Sequence, residues 1–142
     1  VEFLAGEETA LTEREKIGLA LFIETGCIAC HSGPALGGSM YARLGASEPY
    51  TTNDLGRYNV TQSEADKYAF KVPSLRNIAV TGPYLHDGSI PTLESMVQLM
   101  VRHQLGKQLT SDQVDDIVTF LRALTGELPS EYTAQPELPP NP

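Results

Sequence analysis

The most distinctive stretch of the sequence is Cys27-Ile28-Ala29-Cys30-His31, a C-x-x-C-H pattern. Two thiols at this spacing on a helical turn can reach the two vinyl groups along one edge of a porphyrin. The adjacent His31 then projects under the ring plane, where one of its nitrogens can bind the iron. The stretch therefore predicts one covalently attached haem, held through Cys27, Cys30 and His31.

Other sites also use cysteines at this spacing, and the surrounding sequence argues against them. A thioredoxin-like redox pair follows a strand in a βαβ unit, whereas a helical pattern precedes Cys27 and no parallel-sheet pattern is present. A zinc site needs a second pair of ligands, and Cys27 and Cys30 are the only cysteines. A disulfide across this spacing is rare. Haem attachment is the favoured interpretation.

A helix is predicted on the N-terminal side of the motif. Thr12 and Glu15 have the spacing of a capping box, in which each satisfies a backbone N–H group at the helix start. Gly26 can end the helix. The carbonyl of the Gly33-Pro34 turn is expected to accept a hydrogen bond from His31 and to orient its ring. The predicted apolar stripe of the helix consists of Ile17, Ala20 and Leu21.

The C-terminal half contains two further helical patterns, at about residues 92–104 and 111–124. In the second, apolar residues recur at i, i+3, i+4, i+7 and i+10, the clearest periodicity in the chain. Residues 33–56 are rich in glycine and proline and are predicted to form a loop. Residues 57–70 are ambiguous between a loop and a helical turn, and Pro73 could begin a short helix. The domain is therefore predicted to be all-α, without a strand pair.

Length and composition predict one domain followed by a tail. The 142 residues, 41% hydrophobic and 20% charged, suit one soluble domain. We assign residues 1–126 to a monohaem domain. Residues 127–142 contain five of the ten prolines and are predicted to be an extended or disordered tail. No stretch approaches the roughly 20 apolar residues of a membrane span. Val1 begins without a signal-peptide pattern, so we expect that a signal peptide has been removed.

The charge of the chain, −8 in total, is unevenly distributed. Residues 41–110 carry 7 basic and 6 acidic side chains, and the remainder has a net charge of −9. Nucleic-acid binding requires a basic face and is not expected. A weakly charged, partly apolar docking surface in the central segment, with acidic residues around or behind it, is predicted for a redox protein partner.

The ligand on the second face of the iron decides what a haem protein does. A methionine raises the reduction potential and closes the site, a second histidine lowers the potential, and an open site permits reaction with peroxide. Met96, Met100 and His103 share one helical face, so spacing alone leaves these alternatives open. The candidates are Met40, Met96, Met100, His86 and His103.

Several further segments have sequences characteristic of one family. They are residues 18–22 (Gly-Leu-Ala-Leu-Phe), 36–38 (Leu-Gly-Gly), 56–57 (Gly-Arg), 72–79 (Val-Pro-Ser-Leu-Arg-Asn-Ile-Ala), 81–86 (Thr-Gly-Pro-Tyr-Leu-His), 104–106 (Gln-Leu-Gly) and 120–127 (Phe-Leu-Arg-Ala-Leu-Thr-Gly-Glu). With the haem motif, they make the chain resemble the C-terminal, electron-transferring haem domain of bacterial di-haem cytochrome c peroxidases and the related MauG-like proteins. The resemblance covers nearly all of residues 12–127.

The resemblance implies a class I cytochrome c-like fold in which the first and last helices cross. Gly18 would allow the close approach and Phe22 would pack at the crossing. In the family domain, the axial methionine lies shortly before the Gln-Leu-Gly segment, a position that Met100 matches, with Met96 as the second candidate. Thr81 and Pro83 match a calcium site between two family domains, but the other domain also contributes to it, so a calcium site in this chain is not predicted.

Two arginines in family-like segments, Arg57 and Arg76, are candidates to pair with the haem propionates, since a guanidinium binds a carboxylate at two points. His86 is predicted to be a hydrogen-bonded structural histidine. His103 is predicted to be exposed near a helix C-terminus, where a cation is favoured.

The favoured function is that of a c-type cytochrome that carries single electrons through a His/Met-ligated haem. The alternative is a peroxidase, or the electron-feeding half of a di-haem peroxidase, whose peroxidatic haem belongs to the other family domain. Catalysis would need an open iron site and an acid–base group, for which only His86 or His103 is available. Covalent haem attachment is typical of the periplasm, which we predict as the location.

Overall fold

The computed structural model describes residues 3–127. The helix α1 spans Glu13–Thr25 and begins at the predicted capping box, because the Thr12 hydroxyl accepts from the N–H of Glu15 and the Glu15 carboxylate accepts from that of Thr12. Gly26 ends α1 in a left-handed conformation (φ 107°). The predicted tail lies, apart from Glu127, outside the described residues.

Within residues 3–127, three more α-helices follow α1. The short helix α2 spans Tyr58–Thr61 and lies in the region that was ambiguous by sequence. The helix α3 spans Leu93–Leu105 and α4 spans Ser111–Arg122. The N-terminus of α4 has a second capping box, formed by Thr110 and Gln113. Both long helices agree with the predicted ranges to within two residues, because caps and apolar periodicity are local signals.

The helices α1 and α4 cross at Gly18, as predicted. A Cβ atom at Gly18 would lie 2.0 Å from the Asp116 carbonyl oxygen and 2.9 Å from the Phe120 Cβ atom, so only glycine permits this approach. One turn later, the Phe22 ring packs on that of Phe120, with the centroids 5.5 Å apart. The crossing brings the N- and C-terminal parts of the domain together beside the C-x-x-C-H motif.

The predicted apolar stripe of α1 is wrong at two of its three positions, since Leu21 packs against the core but Ile17 and Ala20 do not. Ile17 is 52% exposed and Ala20 is also exposed, whereas Gly18, Phe22 and Thr25 are buried. The contact with α4 selects this face, because the small Gly18 and not the large Ile17 lets the two backbones meet. Most of the buried core residues lie on α4 and α3. Its buried members are Phe22, Leu75, Tyr84, Leu93, Val97, Val101, Val114, Ile117, Val118, Phe120 and Leu121.

A two-stranded antiparallel ribbon corrects the prediction that no strands pair. The strand β1 spans Tyr41–Arg43 and pairs with β2, which spans Ala69–Lys71. Strands of three residues are too short to show the alternation by which a strand is recognised in sequence. Pro73 does not begin a helix either. The Val72 N–H donates to the Met40 carbonyl and holds this segment extended beside the ribbon, and the next 3-10 turn begins only at Ile78.

Candidate haem site

The C-x-x-C-H motif forms a single tight turn at the end of α1. Cys27–Ala29 is a 3-10 turn, and the Cys27 carbonyl accepts from the N–H groups of Cys30 at 3.2 Å and His31 at 3.0 Å. Both cysteines are half-buried free thiols. Burial raises the pKa of the Cys27 thiol, an effect that the nearby Lys107 ammonium opposes. The turn therefore presents two thiols and an imidazole from five consecutive residues.

The imidazole of His31 is oriented by a backbone carbonyl. Its Nδ1 atom lies 3.2 Å from the Leu36 carbonyl oxygen. Because a carbonyl can only accept, Nδ1 carries the proton and Nε2 is left with the lone pair that can bind iron. Burial lowers the pKa of His31, which favours the neutral imidazole that a metal requires.

The predicted source of this carbonyl was the Gly33-Pro34 turn, and that prediction is wrong. The Gly33 carbonyl accepts instead from the Leu36 N–H at 3.0 Å. The Pro34 carbonyl accepts from Arg76, whose Nε and Nη2 atoms lie at 3.0 and 2.8 Å. The turn therefore folds back on itself and brings the carbonyl of Leu36 to the histidine.

Gly37 makes this arrangement possible and was not predicted to have such a role. A Cβ atom at Gly37 would lie 2.2 Å from the Pro73 carbonyl oxygen and 3.1 Å from the His31 Nδ1 atom, and its φ of +122° disfavours other residues. The signal in the sequence was the Gly37-Gly38 pair, which could be taken only as a loop marker. The free thiols, the oriented imidazole and this cradle fit covalent haem attachment.

The candidate methionines differ in their surroundings. Met96 is half-buried and packs against the core. Met100, one helical turn later on α3, is also half-buried, but it is not among the described residues that pack against that core. Met40 is 41% exposed and immediately precedes β1. Packing thus distinguishes two methionines that the helical spacing left equivalent.

Each candidate histidine other than His31 is engaged in a contact of its own. The Nε2 atom of His86 lies 2.7 Å from Asp54 Oδ2, and its ring stacks on Phe70 with the centroids 4.8 Å apart. This agrees with the prediction of a hydrogen-bonded structural residue. His103 is half-buried rather than exposed, because its Nδ1 atom donates to the Glu48 carbonyl at 2.9 Å.

The two arginines proposed for the propionates lie in different environments. The Arg76 guanidinium holds the Pro34 carbonyl, two residues before the Leu36 carbonyl that orients the histidine. The Arg57 guanidinium lies 4.7 Å from the centroid of the Tyr41 ring, and its Nε atom is 3.5 Å from Asp66 Oδ2. Only Arg76 contacts the loop that supports His31.

A thiol-bearing turn, a histidine oriented through a carbonyl and crossing terminal helices together define a c-type cytochrome domain. The cytochrome c family profile matches residues 16–125, and the chain belongs to this family. The predicted covalent haem c and the class I cytochrome c-like fold are thereby confirmed.

Individual relatives narrow this assignment. The chain is 46% identical over 142 residues to the cytochrome c551 peroxidase of Nitrosomonas europaea, covering 99% of the chain and 42% of that protein. It is 47% identical over 130 residues to the cytochrome c peroxidase Ccp of Escherichia coli, covering 88% of the chain and 28% of that protein. The crystal structure of a MauG-like protein associated with microbial copper homeostasis superposes with a TM-score of 0.69 at 27% identity, covering 82% of this chain and 48% of that one.

These matches confirm the predicted resemblance: the chain is a haem domain of the di-haem cytochrome c peroxidase and MauG family. The chain spans less than half the length of each of these relatives. Among the helices in residues 3–127, none combines the length and the apolar character needed to cross a membrane.

Proposed function

We propose that this domain is an electron carrier in which Cys27 and Cys30 hold the haem and His31 and Met100 are its axial ligands. The observation that carries the proposal is the hydrogen bond from His31 Nδ1 to the Leu36 carbonyl, which leaves Nε2 with the lone pair that would bind the iron. The bound haem would supply one-electron chemistry by alternating between ferric and ferrous iron. The protein supplies the ligands, their orientation and the exclusion of water.

The choice of Met100 rests on packing and on the resemblance. Met96 already fills a place against the core, and moving it to the iron would leave a cavity there. Met100 is not among the described residues packed against that core, and it matches the family position before Gln-Leu-Gly. A thioether on the second face closes the site and favours the reduced iron, as an electron carrier requires.

We infer that the partner is another redox protein of the periplasm and that it docks at the haem edge beside the motif. Ile28, between the two cysteines, is 43% exposed, and Tyr41, the first residue of the weakly charged central segment, is 52% exposed. Such uncharged side chains suit a docking surface on which charges orient the partner during encounter but contribute little to its affinity. The electron-transfer rate should therefore depend weakly on salt, and a steep decrease with ionic strength would contradict this inference.

One observation favours the second candidate function, the electron-feeding half of a di-haem peroxidase. The chain aligns over 99% of its length with only 42% of a cytochrome c551 peroxidase. In this function, His31 and Met100 would hold the haem from which the electron passes to a second haem domain. Both functions require a closed iron site here, whereas direct peroxidase activity requires an open one. A high-spin ferric spectrum and rapid bleaching by peroxide would favour direct peroxidase activity.

The decisive experiment is the ferric absorption spectrum of the holoprotein. The wild type should show the charge-transfer band of methionine sulfur bound to iron, and Met100→Ala should lose it. Met96→Ala, one turn away on the same helix, is the matched control and should keep the band. A band that survives in Met100→Ala and disappears in Met96→Ala would reverse the assignment.

A further inference from the structure

The C-terminal turn of α3 is capped by a distant part of the chain. The last carbonyl groups of a helix lack partners within the helix. Here the His103 carbonyl accepts from the N–H groups of Ser47 at 3.0 Å and Glu48 at 3.1 Å. The Gln104 carbonyl accepts from the Ser47 hydroxyl at 2.9 Å. Residues 43–48, which we call the capping loop, thus supply the missing donors.

The side chain of Gln104 also binds the end of α3 to the capping loop. Its Oε1 atom accepts from the N–H groups of Gly45 at 2.8 Å and Ala46 at 3.0 Å. Its Nε2 atom donates to the Arg43 carbonyl at 3.1 Å. One amide therefore binds three backbone groups of the capping loop, about 60 residues away along the chain.

The capping loop is continuous with the segment that orients His31. The Leu36 carbonyl, which accepts the hydrogen bond from His31 Nδ1, begins this segment. The Val72 carbonyl accepts from the Gly38 N–H at 2.9 Å, and the Val72 N–H donates to the Met40 carbonyl at 2.9 Å. Residues 36–48 thus contact the proximal histidine at one end and the last turn of α3 at the other.

We propose that Gln104 is a positioning residue for the sixth haem ligand. It lies one turn after Met100 on α3 and fixes that turn to the segment that supports His31. By holding the two sides of the site at a set separation, it keeps the methionine sulfur at the iron. This inference rests on the proposed His31 and Met100 ligation.

The physical basis is that a neutral thioether is a weak ligand, so small displacements of its helix change how often it dissociates. An external ligand such as imidazole binds ferric iron only when the methionine has left. Removing the three hydrogen bonds of Gln104 should raise the population of the dissociated state. If the net loss is that of one or two ordinary hydrogen bonds, imidazole affinity should increase about tenfold.

The test uses the ferric holoprotein titrated with imidazole, with loss of the methionine–iron band as the signal. Gln104→Leu should bind imidazole about tenfold more tightly than the wild type. Gln98→Leu is the matched control, because Gln98 is exposed on the same helix. Ile117→Val is the second control, because it lowers global stability in the core of α4 by a comparable amount.

The outcomes separate the two proposals. If the wild type lacks the band, or Met100→Ala leaves it unchanged, the proposed ligation fails. If the band is present and Gln104→Leu binds imidazole as the wild type does, the positioning role of Gln104 is overturned. An equal increase in Ile117→Val would overturn it as well.

A milder variant covers the case in which Gln104→Leu does not accumulate as holoprotein. Ser47→Ala removes only the hydroxyl that caps the Gln104 carbonyl. It should raise imidazole affinity about threefold, in line with the loss of one hydrogen bond. Unchanged affinity in Ser47→Ala would then overturn the proposal.

Discussion

Replacing Gly37 by alanine should disturb the loop that orients His31, and its neighbour Gly38 provides a closely matched control. Both glycines have a positive φ, +122° and +85°. An added methyl group at Gly37 would lie 2.2 Å from the Pro73 carbonyl oxygen, whereas nothing lies within 4 Å of the corresponding position at Gly38. Both variants therefore place an alanine at positive φ, and only Gly37→Ala adds the steric overlap.

The expected costs follow from these two contributions. Placing an alanine at positive φ costs about 1–2 kcal/mol in either variant. At Gly37, the Pro73 carbonyl would also have to retreat by about 1 Å to reach an ordinary contact distance. Such overpacking costs a further 1–3 kcal/mol or so, since a backbone atom rather than a flexible side chain must move. Gly37→Ala should thus lose about 2–5 kcal/mol and Gly38→Ala about 1–2 kcal/mol.

Denaturant unfolding of both holoproteins measures this difference. A second readout is the reduction potential, which should rise in Gly37→Ala, because a weaker hydrogen bond from His31 to Leu36 makes the imidazole a poorer donor to ferric iron. Gly38→Ala should leave the potential unchanged. Equal free energies of unfolding for the two variants, or equal potentials, would refute the role assigned to Gly37.

Two further predictions concern the helix crossing and the capping loop. Gly18→Ala places a methyl group 2.0 Å from the Asp116 carbonyl oxygen. Overpacking costs about 1–3 kcal/mol and the gain in helix propensity is about 1 kcal/mol, so a net loss of up to about 2 kcal/mol is expected by denaturant unfolding. Gly126→Ala, with open space around it, should be unaffected, and equal stability of the two variants would contradict the crossing. At the capping loop, the hydrogen bond from Arg102 lowers the pKa of the Glu48 carboxyl. Its small stabilising effect is complete above the ordinary carboxyl pKa of about 4.3 and is lost as the pH falls through the lower folded-state pKa. Glu48→Gln should therefore lower Tm slightly at neutral pH and not at strongly acidic pH, and a difference that persists in acid would exclude this ion pair as the cause.

The parts of the fold that could be predicted are those whose causes lie close together in the chain. The capping boxes at Thr12 and Thr110 and the spacing of apolar residues in α4 operate within one or two turns. The ribbon between β1 and β2 escaped prediction, because each strand has three residues and its partner lies beyond residues 44–68. The exposure of Ile17 also could not be predicted, because the face of α1 that is buried depends on how α4 packs against it.

The candidate site likewise has features that could be predicted from the sequence and features that could not. The C-x-x-C-H pattern specified the cofactor and its attachment residues, because the two thiols and the imidazole belong to one turn. The carbonyl that orients His31 could not be identified, since its position depends on how closely Gly37 approaches Pro73. The role of Gln104 likewise depends on a loop about 60 residues away along the chain.

The sequence by itself thus determined that this protein carries covalent haem and, to within two residues, where its three long helices α1, α3 and α4 begin and end. Those features arise from bonds and caps between residues that are neighbours in the chain. Only the tertiary structure decided which carbonyl faces His31. It also decided which of the two α3 methionines packs against the core: Met96 does, and Met100 is not among the described residues that do. These depend on contacts between segments far apart in sequence, and such contacts exist only once the chain has folded.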